Sequence, residues 1–399
     1  MNPPPHCTRA VDRPESLWTR EFCLLLASTL LLWCSFYLVL TTLPIHIVRD
    51  LGGSSTQVGL LSALMSLVAM AVRPIAGYAL DRFGRRPVHL CTLVLFAVLA
   101  LAYGLPGGLM SLFVVRAVNG IPFGAATTAT QTVAADVVPA KQRGEGLGYY
   151  NLAGTVAMAV VPPLALYVLE RRGFVTIVVG AAALAAGALW LALPMRHARV
   201  RDPQARLSLS VLLENRIAWL ALTAIGVVFG YGAIVSFITL YAEELGLASG
   251  GWFFTVYSAG LVVARAVAGR SFDRRGPALV AALSLALLIV AYLMLGTWKT
   301  ELGFLSAAAV LGVGMGSVIQ AMQAMAVNVV LPERRGAANA TLLGALDLGI
   351  GVGSYVLGAL AEAAGSYAVT YQIAAGLLLI PTAMFFALVM PRYEKQMAL

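Results

Sequence analysis

Asp347 is the one acidic residue inside a long apolar segment, residues 337–361. It lies 11 residues after Gly336, which is about 16 Å along a helix axis and close to the middle of a bilayer core about 30 Å thick. Ionisable side chains at such a depth are costly and commonly mark function. A carboxylic acid there can take up and release a proton, so we expect Asp347 to act in proton or cation coupling. A structural hydrogen bond is the alternative.

Arg116 is a basic residue deep in another apolar segment. The helical face that begins at this residue continues through small and polar side chains, Gly120, Gly124, Thr127 and Gln131. A face of this kind lines a cavity or a close helix contact rather than lipid. Arg116 is therefore the second candidate coupling residue, with structural packing as the alternative.

A charged string interrupts two apolar runs at residues 73–86, RPIAGYALDRFGRR, and a similar string, RAVAGRSFDRRG, stands at residues 265–276. Each string begins with an arginine eight residues before an aspartate, which is about 12 Å at helical rise. We expect both arginines, Arg73 and Arg265, to extend their side chains towards the nearer membrane surface.

The elements that hold these residues are those of a membrane protein. Of the 399 residues, 60% are hydrophobic and only 11% are charged, against roughly 25% charged in soluble domains. The net charge of +9 comes from short basic clusters between apolar segments, not from one basic patch, so we expect no nucleic-acid partner. The sequence has no metal-ligand cluster, phosphate-binding glycine loop or nucleophile–base set, so we expect no enzymatic activity, metal or cofactor.

Twelve apolar segments are long enough to cross a bilayer as helices, and they lack the in–out alternation of barrel strands. We number them as spans 1 to 12: residues 22–46, 57–80, 87–106, 109–136, 146–169, 173–194, 216–242, 252–272, 277–297, 302–330, 337–361 and 367–390.

Lysine and arginine residues predict the orientation. With the N-terminus in the cytoplasm, 20 of the 27 lie in cytoplasmic segments, four in outer loops and three within spans. We therefore expect a multi-pass membrane protein with both termini in the cytoplasm. The expected organisation is an N-terminal segment (1–20), a six-helix bundle (21–195), a cytoplasmic linker (196–215), a second six-helix bundle (216–390) and a cytoplasmic tail (391–399).

The two bundles align when the sequence is shifted by 192 residues. Separate stretches coincide without gaps, among them Asp81–Arg82 with Asp273–Arg274 and Arg143–Gly144 with Arg335–Gly336. Both halves begin on the same side and contain an even number of spans. They are therefore parallel repeats, which predicts an all-helical protein with two pseudo-symmetric bundles that face each other across a cavity.

The chain resembles the Major Facilitator Superfamily (MFS) of secondary transporters over nearly its whole length. GYALDRFGRR is similar to that family's signature between helices 2 and 3, and RAVNGIPFGAA (residues 116–126) is similar to its helix-4 motif. The resemblance, which is to the group of twelve-helix drug and metabolite exporters, implies a small organic substrate and transport through alternating access. We further expect a monomer in the inner membrane of a bacterium.

The first charged string is expected to act in the conformational switch. Gly84 permits a tight turn, and Gly77 allows another helix to approach one turn before Asp81. The resemblance implies that Asp81 contacts the N-terminus of span 11 near Gly336. Arg82 and Arg85 need counter-charges, and Asp136 is the nearest acid in the sequence pattern.

The second copy contains Asp273 and Arg274, but Asn328 stands at the position equivalent to Asp136. We therefore expect the second charge cluster to be weaker than the first.

The resemblance implies that spans 1, 4, 7 and 10 line the substrate cavity. Aromatic residues and amides on those spans and on span 8 suit a small, partly apolar molecule. The candidate substrate-binding residues are Trp33, Tyr37, Asn119, Gln131, Tyr231, Ser236, Tyr257, Gln320 and Gln323.

We expect proton-coupled efflux, with Asp347 and Arg116 as coupling residues because span 1 contains no acid at the position where the family often has one. Three alternatives remain: proton-coupled uptake, export of one metabolite such as a siderophore or metallophore, and a sensor or scaffold that does not transport.

Overall fold

The structure is a computed structural model that describes residues 16–105, 107–139, 142–197, 214–331 and 334–397. Its regular structure is helical, and the described residues contain no strand. The helices are α1 (Arg20–Arg49), α2 (Ser55–Phe83), α3 (Arg85–Leu101), α4 (Leu109–Val137), α5 (Arg143–Ala192), α6 (Ala218–Glu244), α7 (Trp252–Thr297), α8 (Glu301–Asn328), α9 (Arg335–Ala364), α10 (Tyr367–Leu377), α11 (Leu379–Met384) and α12 (Met390–Met397). A short 3-10 turn, Ala102–Gly104, follows α3, and another, Asn215–Ile217, precedes α6. A π-turn, Phe385–Val389, joins α11 to α12.

Ten of the described helical segments are long and apolar enough to cross a membrane. Several begin at a polar residue that caps the free backbone N–H groups. Thr19 accepts from Phe22 N–H at α1, and Ser54 forms a capping box with Gln57 at α2. The last helical run continues to Met397.

Two helices are divided by a glycine with a non-helical backbone. In α5 this residue is Gly173 (φ 74°), and in α7 it is Gly276 (φ 77°). The segment Glu145–Ala192 has 48 residues, or about 72 Å at helical rise, which is more than twice the thickness of a bilayer core. The turn at Gly173 is therefore needed to fold this segment back on itself.

Four of the six glycines with positive φ angles in the described residues follow the repeat. Gly84 (φ 99°) and Gly276 (φ 77°) are 192 residues apart, and so are Gly173 (φ 74°) and Gly365 (φ 62°). Side chains with a Cβ rarely adopt this backbone conformation. The prediction that Gly84 forms a tight turn is confirmed, and its repeat mate forms the same turn.

Glycines on α4 and α8 allow equivalent close helix contacts. A Cβ at Gly120 would lie 2.9 Å from the Met65 carbonyl oxygen of α2. A Cβ at Gly312, the repeat mate of Gly120, would lie 2.2 Å from the Tyr257 carbonyl oxygen of α7. The small face of α4 thus packs on a neighbouring helix, which is one of the two possibilities that its sequence left open.

Helices before and after residues 198–213 form the two halves of the molecule. In the first half α1 packs on α5, and α2 packs on α4; in the second half α7 packs on α8, and α6 packs on α9. The halves meet where α2 packs on α9, α5 on α7, and α1 on α6. These three contacts position the residues described below.

Candidate functional site

Arg73 and Asp347 form an ion pair between the two halves. The Arg73 Nε lies 2.7 Å from Asp347 Oδ2, and each side chain keeps 22% of its surface exposed. Arg73 is on α2 and Asp347 is on α9, so the pair spans the main contact between the halves. A charge-assisted hydrogen bond of this length stabilises the contact while both groups are charged.

Arg73 also donates from Nη1 to the hydroxyl of Thr127 on α4, at 3.2 Å. The expectation that its side chain extends to the membrane surface is therefore wrong, because a carboxylate on the opposite half satisfies the guanidinium inside the protein. Arg265, its repeat mate, forms no ion pair with any described residue. The position equivalent to Asp347 is Thr155, so the repeat supplies no acid for it.

Arg116 is buried in the first half, with 3% of its surface exposed. Its Nη1 donates to the Tyr103 hydroxyl at 3.2 Å, and its Nε has no partner among the described residues. It lines a small cavity with apolar residues of α1 and α2. The two predicted coupling residues thus lie in different surroundings, and only Asp347 contacts the opposite half.

Four predicted substrate-binding aromatic residues form one cluster across the two halves. Trp33 and Tyr37 stack on α1 with centroids 5.8 Å apart, and Tyr231 on α6 stacks on Tyr257 of α7 at 5.7 Å. Tyr37 lies close enough to Tyr231 for their hydroxyls to interact electrostatically. Tyr292 of α7 joins this cluster near Gly230 and was not among the predicted residues.

The remaining predicted substrate-binding residues occupy three kinds of position. Asn119 is buried, and its Nδ2 has no partner in the described part of the chain. Ser236 is also buried, and its hydroxyl donates to that of Ser354 at 3.1 Å, so this group joins α6 to α9. The amides of Gln131, Gln320 and Gln323 are half-buried.

One end of the molecule, where α1 ends and α2 begins, holds several bonds between the halves; we call it the Arg49 end. Arg49 Nη2 lies 2.9 Å from Oε1 of Glu243, a residue in the last turn of α6. Glu362, at the end of α9, accepts the Thr56 backbone N–H at 3.1 Å, in the first turn of α2. Ser55 shares a 2.7 Å hydrogen bond with the Tyr367 hydroxyl.

The opposite end, where α2 ends and α3 begins, contains the charged string; we call it the Asp81 end. Arg85 donates from Nη1 to Asp81 at 2.6 Å and from Nε to Asp136 at 3.0 Å. Arg85 thus links α2, α3 and α4 within the first half, and Arg82 lies half-buried beside it.

Gly77 does not have the predicted close contact, because a Cβ there would meet no atom within 4 Å. The predicted contact of Asp81 with the helix that begins near Gly336 stays a prediction. Asp273 and Arg274 of the second copy lie outside the residues whose side chains the structure describes. Asn328, which replaces the second acid, donates to the Tyr393 hydroxyl at 3.3 Å.

Comparisons with known proteins agree with this architecture. The profile of the Major Facilitator Superfamily matches residues 25–250 and 245–398, which is almost the whole chain. The chain belongs to the Major Facilitator Superfamily. This MFS protein is thus a multi-pass transporter of small molecules in the cell membrane.

Two curated relatives are transporters. The staphylopine export protein of Staphylococcus aureus is 23% identical over 334 residues, which cover 79% of this chain and 83% of that protein. The MFS-type transporter YhhS of Escherichia coli K12 is 27% identical over 355 residues, 86% of each chain.

Solved structures share the MFS fold. One is a bacterial homologue of the human lysosomal transporter Spinster in an inward-facing, unoccupied conformation. It is 18% identical with a TM-score of 0.76, and the match covers 95% of this chain and 98% of that chain. The nucleoside transporter NupG is 17% identical with a TM-score of 0.75, and the match covers 92% of this chain and 99% of that chain.

Proposed function

We propose that this MFS protein exports a small organic molecule in exchange for protons, through alternating access of a central site. Twelve membrane-crossing helices would arise because α5 and α7 each contain two arms, on either side of Gly173 and Gly276. The distribution of lysine and arginine supports cytoplasmic termini, which makes the Asp81 end cytoplasmic and the Arg49 end the outer one.

The ion pair between Arg73 and Asp347 is the observation that carries this proposal. A proton on Asp347 would remove the negative charge and weaken the ion pair that joins α2 to α9. The two halves could then separate at this level, so that proton uptake and rearrangement are coupled. Loss of the proton would restore the pair and return the protein to the state described here.

The bonds at the Arg49 end support a conformation closed to the outside. Arg49–Glu243, Thr56–Glu362 and Ser55–Tyr367 each join the first half to the second. Substrate would therefore enter from the cytoplasm and contact the aromatic cluster formed by Trp33, Tyr37, Tyr231 and Tyr257. Flat apolar surfaces with hydroxyl groups suit a partly apolar organic molecule.

The proton gradient would supply the driving force, without a bound cofactor, a metal or enzymatic chemistry. Bacterial relatives support the inner membrane as its location, and one polypeptide contains both halves of the site, which supports a functional monomer.

Inverted membrane vesicles provide the test. An inward proton gradient is reported by acridine-orange quenching, and ethidium or tetraphenylphosphonium is added as the probe. We expect the probe to release the quench through wild-type protein and Asp347→Asn to abolish this release. Asp50→Asn is the matched control, because Asp50 is an exposed acid at the Arg49 end that pairs with His46 inside α1.

Equal release by wild-type protein and Asp347→Asn would refute proton coupling through Asp347. If both probes leave the quench unchanged in vesicles that carry folded protein, export of lipophilic cations is excluded.

Export of a single anionic metabolite, such as a metallophore, is the second candidate. It is favoured by Arg265, which has no acid partner among the described residues, and by similarity to a staphylopine exporter. Uptake of staphylopine into the same inverted vesicles tests it, and Arg265→Gln should lower that uptake while it leaves ethidium transport unchanged.

A further inference from the structure

A surface pocket lies at the Asp81 end of the second half, where α6, α8 and α12 meet. It holds about 290 Å³ of empty space, part of it open to the surroundings. Ten residues line it: Arg216, Ile217, Trp219, Leu220, Met325, Val329, Val389, Arg392, Tyr393 and Gln396. We refer to it as the Arg216–Arg392 pocket; it shares no residue with the site between the halves.

The rim of the pocket is basic. Arg216 and Arg392 line it, and none of its lining residues in the described part of the chain carries a carboxylate. Arg392 stacks on the Trp219 ring at 4.5 Å and donates to the Leu388 carbonyl oxygen, and neither arginine forms an ion pair with a described residue. The nearby acid Glu214 accepts instead from Arg334 Nε at 2.8 Å and from the Arg216 backbone N–H. The two arginines therefore give the lining of the pocket a positive charge, although the Glu214 carboxylate lies within electrostatic reach of Arg216.

The floor of the pocket is apolar. Five of its ten residues are aliphatic or methionine side chains at the start of α6, at the end of α8 and in the π-turn before α12, namely Ile217, Leu220, Met325, Val329 and Val389. Trp219 lies in the first turn of the apolar segment that begins at Asn215, with 42% of its surface exposed. Tryptophan at the end of a membrane-crossing helix marks the level of the lipid headgroups.

The final helix is shaped to complete this pocket. The π-turn Phe385–Val389 interrupts the regular helix just before α12. Arg392, Tyr393 and Gln396 stand three, four and seven residues after Val389, so the four side chains form one face of the helix. Asn328 holds Tyr393 in place from the end of α8.

We propose that the Arg216–Arg392 pocket binds the headgroup of an anionic phospholipid. The two guanidinium groups bind the phosphodiester, Tyr393 and Gln396 contact its glycerol, and one acyl chain lies on the apolar floor. A guanidinium suits a phosphate because it presents several N–H donors in one plane. The basic rim above an apolar floor, at headgroup level, favours a lipid over a soluble phosphate.

Native mass spectrometry of the purified full-length protein tests this proposal. Phosphatidylglycerol, phosphatidylethanolamine and phosphatidylcholine are titrated separately, and retained lipids are counted. We expect one phosphatidylglycerol to bind at least ten-fold more tightly than phosphatidylcholine. Arg216→Gln/Arg392→Gln should remove most of that preference, since each arginine near a membrane surface contributes about five-fold.

Arg171→Gln/Arg172→Gln is the matched control, because it also removes two arginines, and Arg171 likewise stacks on an aromatic ring, that of Tyr167 at 4.8 Å. It should keep the preference. Arg216→Lys/Arg392→Lys retains the charge and should keep part of it. The melting temperature of each variant in detergent shows that it is folded.

Glycerol 1-phosphate is added as a headgroup without acyl chains. Failure of excess glycerol 1-phosphate to displace the lipid supports a lipid site, and full displacement overturns it in favour of a soluble phosphate. An unchanged phosphatidylglycerol preference in the folded Arg216→Gln/Arg392→Gln variant also overturns the proposal.

Discussion

The guanidinium of Arg73 on α2 and the carboxylate of Asp347 on α9 are 2.7 Å apart, although 274 residues separate them in the chain. Each belongs to a different half of the molecule. The two side chains are expected to act as a unit in transport, since either one loses its charged partner when the other is replaced.

Non-additive mutations test this coupling. Arg73→Gln and Asp347→Asn should each lower proton-driven flux at least about ten-fold, and the double variant should lower it no further. The measurement is the initial rate of acridine-orange dequenching in inverted vesicles, normalised to the amount of protein. Losses that multiply in the double variant would contradict a shared role.

Glu362 provides a second prediction, at the Arg49 end. Its carboxylate accepts the Thr56 N–H in the first turn of α2 and so joins α9 to α2. We therefore expect Glu362→Gln to weaken closure. The population that is open at this end should rise about two- to five-fold. Electron–electron resonance between spin labels at Asp50→Cys and Ala248→Cys measures the separation of the halves.

Glu244→Gln is the control for this experiment. Glu244 lies at the same end but accepts from Ser366 and the Tyr367 N–H, all within the second half. An equal change in the distance distribution for both variants would show that closure does not depend on Glu362.

Gly59 on α2 provides a steric test of the same contact. A Cβ at Gly59 would lie 2.2 Å from the Ser354 carbonyl oxygen of α9, so Gly59→Ala must move the halves apart. Gly344 lies on the same helix pair, but its Cβ would meet only Met70 Cγ at 3.7 Å. We expect Gly59→Ala to lower flux several-fold and to lengthen the Asp50–Ala248 distance, whereas Gly344→Ala leaves both unchanged.

Much of the architecture could be predicted from the sequence, because long apolar runs and a gap-free repeat depend only on local composition. Gly84 was identified as a turn residue since few other residues adopt positive φ. The prediction of a close helix contact at Gly77 was wrong, because a glycine permits another helix to approach without requiring it to do so.

The Arg73–Asp347 pair could not be predicted in the same way. Both residues were identified as charged groups within spans, but the repeat offered no indication that they meet, because Thr155 replaces the acid in the equivalent position. Contacts between the halves depend on the tilt of α2 and α9, which no local pattern encodes. Glu362 was missed for a related reason: an acid at the end of a helix usually contacts water.

Arg85 tests the charge cluster at the Asp81 end. Its side chain is 10% exposed and contacts two carboxylates, so Arg85→Gln leaves Asp136 without that cation. We expect a melting temperature lower by about 2–5 °C and reduced flux. Asp136→Asn should have a smaller effect, because Asp81 still pairs with Arg85. A larger loss for Asp136→Asn than for Arg85→Gln would show that Arg85 does not organise the cluster.

His197 makes stability depend on pH at the Asp81 end. Its Nδ1 lies 3.2 Å from the Met195 carbonyl oxygen, so that nitrogen carries the proton, and its Nε2 accepts from His89 Nδ1 at 2.9 Å. Burial lowers the pKa of His197, and the nearby Arg86 lowers it further. These two effects outweigh the hydrogen bond to the Met195 carbonyl oxygen, which raises the pKa. The unfolded chain therefore binds a proton more readily than the folded protein does.

Stability is fully present above the ordinary histidine pKa of about 6.5 and falls as the pH decreases below it. We expect the melting temperature in detergent to fall by roughly 1–3 °C between about pH 6.5 and 5.5 from this residue, and His197→Gln to flatten that part of the profile. Thr176→Val is the control, because Thr176 is exposed, does not titrate and bonds to the Arg172 carbonyl oxygen of its own helix, so it should leave the decline in place. A profile for His197→Gln that stays parallel to that of the wild type would exclude His197 as the source, since removal of a titrating group must change the slope.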